Sequence, residues 1–210
     1  MAEKIDEKIL DFINAEEKIE KQKDIISGKI KIIDKYYEFK EKDFYDGNFK
    51  IHIPMSFDHM DIEMTKLKYP SESRPEIILC NEEASIVITL NLINSILSDE
   101  YVEKIRDFMK DIGKRINPSD LFLEEGMLLV DEKNIGFYDY KSSAIDDFIY
   151  NLVFILEFKE KTLMGTFSCP YEMNNEWKNI AFEIIKTIEI DKKNIDTEKK
   201  EKIIAKINHI

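Results

Sequence analysis

Between positions 121 and 168 the chain carries four strand-length runs joined by links of only two or three residues. The runs fall at about 121–130, 134–144, 147–158 and 161–168, and the links are Asp131-Glu132-Lys133, Ala144-Ile145-Asp146 and Lys159-Glu160. A parallel crossover needs a dozen or more residues, so links this short force neighbouring strands to run antiparallel, as a meander. Period-two patterning also appears upstream. Tyr37 and Phe39, then Phe49, Ile51 and Ile53, alternate with polar residues on either side of Asp46-Gly47-Asn48, which supplies hairpin turn chemistry. That hairpin ends at Pro54. Further strands are expected at 66–69, 76–80 and 85–91, the first two separated by a loop with Pro70 and Pro75 at its ends.

Two segments switch to helical spacing. Ser98 or Asp99 caps a helix whose apolar face is Tyr101, Val102, Ile105, Phe108, Met109 and Ile112. Asn174 or Asn175 caps another, with Trp177, Ile180, Ala181, Ile184, Ile185 and Ile188 facing inward. Helices segregated onto an antiparallel sheet make an α+β sandwich. The expected fold is therefore α+β, a mostly antiparallel sheet of about six to eight strands with helices packed on it, over residues 36–190. Residues 1–35 read as an N-terminal helical extension. Ile5, Ile9, Phe12 and Ile19 give its helix an apolar stripe over 3–23, which Glu16 and Lys23 interrupt. Residues 191–210 read as a charged tail in which Ile203, Ile204 and Ile207 mark a short helix.

The net charge of −12 resides in the middle of the chain. Residues 48–190 carry −11, against −3 for 1–47 and +2 for 191–210. Phosphate backbones and anionic membrane surfaces repel such a domain, and it has no basic stripe, so nucleic acid and membrane are not expected partners. No apolar run reaches the length of a membrane span, and the start of the chain lacks a signal peptide's apolar stretch. Two cysteines, Cys80 and Cys169, stand in apolar surroundings and do not make a disulfide framework. A cytoplasmic location is expected.

Catalytic residue types are scarce. The three histidines are His52 on a strand, His59 in Phe57-Asp58-His59-Met60-Asp61-Ile62-Glu63, and the penultimate His209. None stands at metal-ligand spacing, and there is no glycine-rich phosphate loop. No catalytic residue, metal ligand or cofactor is expected, and the chain reads as a non-enzyme. Binding features remain. Arg74 lies on a proline-stiffened loop near Tyr69, where a guanidinium can grip a carboxylate or brace the loop. Tyr69, Arg74 and the helix residues Ile5, Ile9 and Phe12 are the candidate partner-binding residues. Trp177, the only tryptophan, is the candidate anchor of the last domain helix.

The order of elements carries further marks: Phe49-Lys50-Ile51-His52-Ile53-Pro54 after a hairpin, Tyr69-Pro70 and Arg74-Pro75, Gly165-Thr166-Phe167-Ser168-Cys169 on the last strand, and Trp177 with Thr187-Ile188 on the closing helix. In these the chain resembles the PsbP-like α/β/α sandwich family over about residues 36–190. The fold is shared by the oxygen-evolving PsbP subunit, the Ran-binding nuclear import factor and bacterial adaptor chaperones for secreted effectors. The resemblance, with the missing catalytic set and the amphipathic ends, implies a module that binds another protein, adaptor or chaperone-like; either a monomer or a dimer fits the sequence. The alternative is an acidic immunity-type inhibitor that occludes a basic toxin. A hydrolase is a third and weaker reading.

Overall fold

A computed structural model describes residues 24–145 and 147–191. The helices expected over 3–23 and around Ile203, with Ile5, Ile9 and Phe12, lie outside these residues.

The chain adopts an α+β sandwich built on a seven-stranded antiparallel sheet. Its strands are β5 (Asp58–His59), β6 (Ile77–Cys80), β7 (Val87–Ile96), β8 (Leu121–Val130), β9 (Lys133–Ser143), β10 (Phe148–Phe158) and β11 (Lys161–Pro170). They lie in the order β5-β6-β7-β11-β10-β9-β8. The meander from β8 to β11 pairs antiparallel throughout. Two of its links turn on non-glycine residues in the left-handed region, Asp131-Glu132 and Lys159-Glu160, with φ between 47° and 62°. Positive φ at both central residues gives the turn the twist of the strands it joins.

A smaller sheet, ordered β12-β4-β3, forms from the upstream hairpin β3 (Phe39–Phe44) and β4 (Phe49–Pro54) with β12 (Glu189–Ile190). Gly47, at φ 77°, closes that hairpin after Tyr45 and Asp46, which are also left-handed. A two-stranded ribbon, β1 (Ile30–Ile32) and β2 (Lys35–Tyr37), precedes it.

Segment 66–69 is a correction. It reads as a strand because Lys66-Leu67-Lys68-Tyr69 alternates. It instead ends helix α1 (Ile62–Lys68), whose start is set by Asp61: its carboxylate accepts from the Glu63 and Met64 amides, each at 2.9 Å. Capping satisfies backbone donors that a short helix otherwise leaves orphaned, and so overrides local alternation.

The large sheet separates two layers. Its inner face packs on the small sheet and on α3 (Asn174–Lys186). Phe49, Ile51 and Ile53 from β4 and Trp177, Ile180 and Ile184 from α3 share one core with Leu152, Phe154 and Leu163 of the large sheet. That core also takes Ile25 and Ile32, 2% and 1% exposed. The sandwich thus begins upstream of Tyr36. On the outer face, α2 (Val102–Ile116) lays Val102, Ile105 and Met109 against Tyr138, Val153 and Ile155 of β9 and β10. Helix α1 covers β6 and the start of β7 through a smaller cluster around Met60, Ile78 and Val87. Among the described residues, no helix is long and apolar enough to cross a membrane.

Candidate functional site

The two outer-face helices cover different parts of the sheet and leave between them a strip over parts of β7, β11 and β10, where Thr89 and Asn151 are only 6% and 8% exposed. Side chains alternate across a strand, which puts Thr89, Thr166, Ser168 and Asn151 on this strip. At the end nearest α1 it deepens into a groove of about 450 Å³, lined among others by Tyr69, Val87, Phe148, Asn151 and Ser168.

Each wall has a local cause. Tyr69 caps α1, its amide donating to the Thr65 carbonyl at 2.8 Å, and its ring packs on the cluster below the helix. Burial raises the Tyr69 phenol above its ordinary pKa, so the groove meets a neutral hydroxyl. The Lys68 ammonium donates to the Ala84 carbonyl and ties the helix end to the β6–β7 turn. On the far wall, Phe148 stands at the start of β10, with the Lys141 ammonium 3.7 Å from its ring centroid and 4.2 Å from that of Tyr171.

The floor is polar but uncharged. Ser168 donates from its hydroxyl to the Asn151 side-chain carbonyl at 2.8 Å. Asn151 in turn donates to the Ser142 hydroxyl at 2.9 Å. This relay crosses β11, β10 and β9 and fixes which way the Asn151 amide points. Asn151 is 8% exposed, so few of its hydrogen-bonding directions face water. Val87 and Phe148 offer apolar contact beside that relay. Such a surface can hold an extended chain: apolar side chains settle on the rings, and backbone amides meet hydroxyls and amides.

The sequence-derived candidates separate in space. Tyr69 lines the groove. Arg74 instead borders a second depression of about 360 Å³, with His59, Thr65 and Glu76, and makes no ion pair among the described residues. Trp177 is buried, flanked by Tyr37, Phe57 and Phe167 with ring centroids 5.0 to 6.3 Å away. His52, His59 and Cys169 do not converge. His52 lies by Thr187, on the other side of the small sheet's β4, its amide donating to the Thr187 hydroxyl at 2.9 Å. The His52 ring is half-buried and its Nδ1 has no hydrogen-bond partner, so it does not stand free on a solvent face. Cys169 is sealed in the inner core, where burial pushes its thiol up to about 12. Among the described residues, no group of three or more His, Cys, Asp or Glu could hold a metal ion.

An ionic cluster around one buried carboxylate on the inner face escapes sequence reading. Asp139, 0% exposed, accepts from the Tyr150 hydroxyl at 2.9 Å, the Glu124 amide at 2.6 Å and the Lys178 ammonium at 2.7 Å. Lys178 also reaches Glu124 at 2.9 Å. Burial opposes the charge on Lys178, but the hydrogen bonds it donates to Asp139 and Glu124 outweigh it and raise its pKa. Every group of this cluster is engaged in joining α3 to β8, β9 and β10, which makes it a structural tie. The one signal in the sequence is an aspartate amid Phe137, Tyr138 and Tyr140. Asn151, in a strand otherwise rich in Ile, Leu, Val and Phe, is the comparable signal for the groove.

Neither a protein-family model nor a curated protein matches the sequence. Solved structures do match the fold. One is the solution structure of cyanobacterial PsbP (CyanoP) from Synechocystis, at a TM-score of 0.55 and 8% identity, covering 79% of this chain and 99% of that one. Another is a crystal structure from Bacteroides thetaiotaomicron, at a TM-score of 0.50 and 10% identity, covering 74% of this chain and 49% of that one. This chain thus spans about half the length of the Bacteroides protein it matches.

Proposed function

We propose, from a PsbP-like fold that carries an outer-face groove and no catalytic group assembled among the described residues, that this chain is a non-enzymatic protein-binding module of the adaptor or chaperone kind. The observation that carries the reading is the groove between Tyr69 and Phe148. It pairs aromatic walls, bordered by Lys68 and Asp147, with an oriented Asn151–Ser168 floor, a combination suited to an extended segment of a partner protein. The separation of His52, His59 and Cys169 supports a non-enzymatic role, since nucleophilic catalysis needs a base within hydrogen-bond reach of the nucleophile. Two buried free thiols support a reducing compartment, the cytoplasm. Arg74 lies apart from the groove and is proposed as a secondary contact for a partner carboxylate. The inhibitor reading stays the alternative and rests on the net −11 of residues 48–190, which would steer a basic partner.

A peptide library displayed on phage tests this reading. Peptides enriched on the wild-type chain should be lost on Ser168→Trp, which fills the groove, while the melting temperature of the variant stays close to wild type. No enrichment, or equal enrichment on both chains, sinks it.

A further inference from the structure

An open sheet ends in edge strands, and each edge presents a row of unpaired backbone donors and acceptors on which another chain can build. Among the described strands, most edges are blunted. β5 and β12 have two residues each, and the ribbon strands three. β3 has six residues but carries Lys40, Glu41, Lys42 and Asp43 in succession. β8 differs. It closes the large sheet with ten residues and, among the described strands, pairs on one side only, with β9. Its run Gly126-Met127-Leu128-Leu129-Val130 holds no charge. Leu123 and Leu129 are 44% and 74% exposed. The two acids that would repel an incoming strand are drawn away to the helices. Glu124 pairs with Lys178 of α3 at 2.9 Å on the inner face, and Glu125 pairs with Lys110 of α2 on the outer face.

The edge also fits itself. The two-residue link Asp131-Glu132 makes Val130 and Lys133 a hydrogen-bonded pair, so the alternation of an antiparallel ladder turns the backbone groups of Val130, Leu128 and Gly126 toward β9. Those of Glu125, Met127 and Leu129 face outward. Two copies pairing antiparallel through these groups can centre on residue 126, 127 or 128. Centring on Leu128 sets Glu125 beside the second copy's Asp131, two like charges. Centring on Gly126 sets the bulge between Phe122 and Glu125 against the second copy's Leu128 and Leu129. Centring on Met127 avoids the first clash and leaves the bulge at the end of the ladder. It lays Leu129 along the stem of the second copy's Glu125, and it brings Phe122 level with the second copy's Asp131-Glu132 turn. The Lys114 ammonium stands over the Phe122 ring, 5.2 Å from its centroid, so a cation meets an acidic turn at both ends of the pairing.

We infer that β8 is a homodimer interface, at which two copies pair antiparallel about Met127 and join their seven-stranded sheets into one continuous sheet. The occupant of the edge is a second copy of this chain. At physiological salt the Debye length of about 8 Å screens the −12 of each copy, while contacts within the ladder persist. The interface lies at the opposite edge of the sheet from β5 and does not rest on the outer-face groove.

Sedimentation of the full chain at physiological salt tests it, and should show a dimer that forms with rising concentration. Leu129→Lys puts a charge on an exposed edge position. It should weaken the dimer at least about tenfold and leave the melting temperature of dilute protein unchanged. Leu67→Lys, at an exposed position of α1, is the control and should leave the dimer intact. Amide exchange then locates the contact. From dilute to concentrated protein, exchange at Met127 and Leu129 should slow about tenfold, while exchange along β3 stays the same. A chain that stays monomeric up to about 0.1 mM, a dimer that Leu129→Lys leaves unchanged, or protection that appears elsewhere and not along β8 would each overturn the interface.

Discussion

Single side chains at the centre of the sandwich set much of its stability. Trp177 fills the space between the ribbon, the small sheet's approach and β11, touching Tyr37, Phe57 and Phe167. Truncating a buried aromatic leaves a cavity that the surroundings only partly fill. Trp177→Ala should therefore lose about 3–5 kcal/mol in a denaturant titration. Asp139 is different in kind, being a buried charge whose cost is offset only by its partners. Lys178→Met would leave that carboxylate with Tyr150 and one amide, and should destabilise the chain by about 3–5 kcal/mol. Titration at high pH offers a further check. Burial raises the thiol of Cys169 from 9.0 to about 12, and burial with Asp139 beside it also raises the phenol of Tyr150. A raised folded pKa contributes stability that is intact below the unfolded pKa and is lost as pH climbs toward the folded one. Melting temperature should hold up to about pH 9 and fall between there and pH 12, and Cys169 should resist alkylation at pH 8 until the chain unfolds.

At the scale of elements, β10 and β11 illustrate how a glycine can be dictated by a neighbour. Gly165 lies directly opposite Phe154. The Phe154 ring covers it so closely that an added Cβ would sit 2.0 Å from the ring's Cζ. Gly165→Ala must push that ring out of the core. It should lower the unfolding midpoint sharply, with an overpacking cost of about 1–3 kcal/mol or more, and Phe154→Leu should recover part of the loss. A double variant no more stable than Gly165→Ala would show that the ring is not the cause. The element that local pattern misassigns, α1, teaches the complementary lesson. Its alternation suggests a strand. Asp61 and the proline loop behind it decide for a helix, and that helix brings Tyr69 to the groove.

For the whole molecule, the question is where the folding unit begins. The ribbon β1–β2 and the buried Ile25 and Ile32 belong to the common core. A chain truncated to start at Asp24 should melt cooperatively, because it keeps every buried residue of the described sandwich. One that starts at Asp34 loses both isoleucines, and deletions of that kind cost about 2–5 kcal/mol each. Most of a domain's margin of about 5–15 kcal/mol would go with them. Calorimetry on the two chains distinguishes the cases: a sharp, undiminished transition from Asp34 onward would return the boundary to the vicinity of Tyr36.

The meander, the two long helices and the Trp177 stripe are legible in the sequence because their causes are local. Short links permit only antiparallel neighbours, and periods of 2 and 3.6 mark which face is buried. The groove has no such local cause. Tyr69, Val87, Asn151 and Ser168 come together because β7 inserts beside β11 instead of beside β8, a strand order that no short stretch of chain encodes. Arg74 and Tyr69 are near in sequence, yet they border different depressions, because the turn after α1 sends the intervening loop away from the groove. The burial of Ile25 and Ile32 is likewise decided in three dimensions. Alternation shows that a residue has an apolar side, and only the packed sheets show which core receives it.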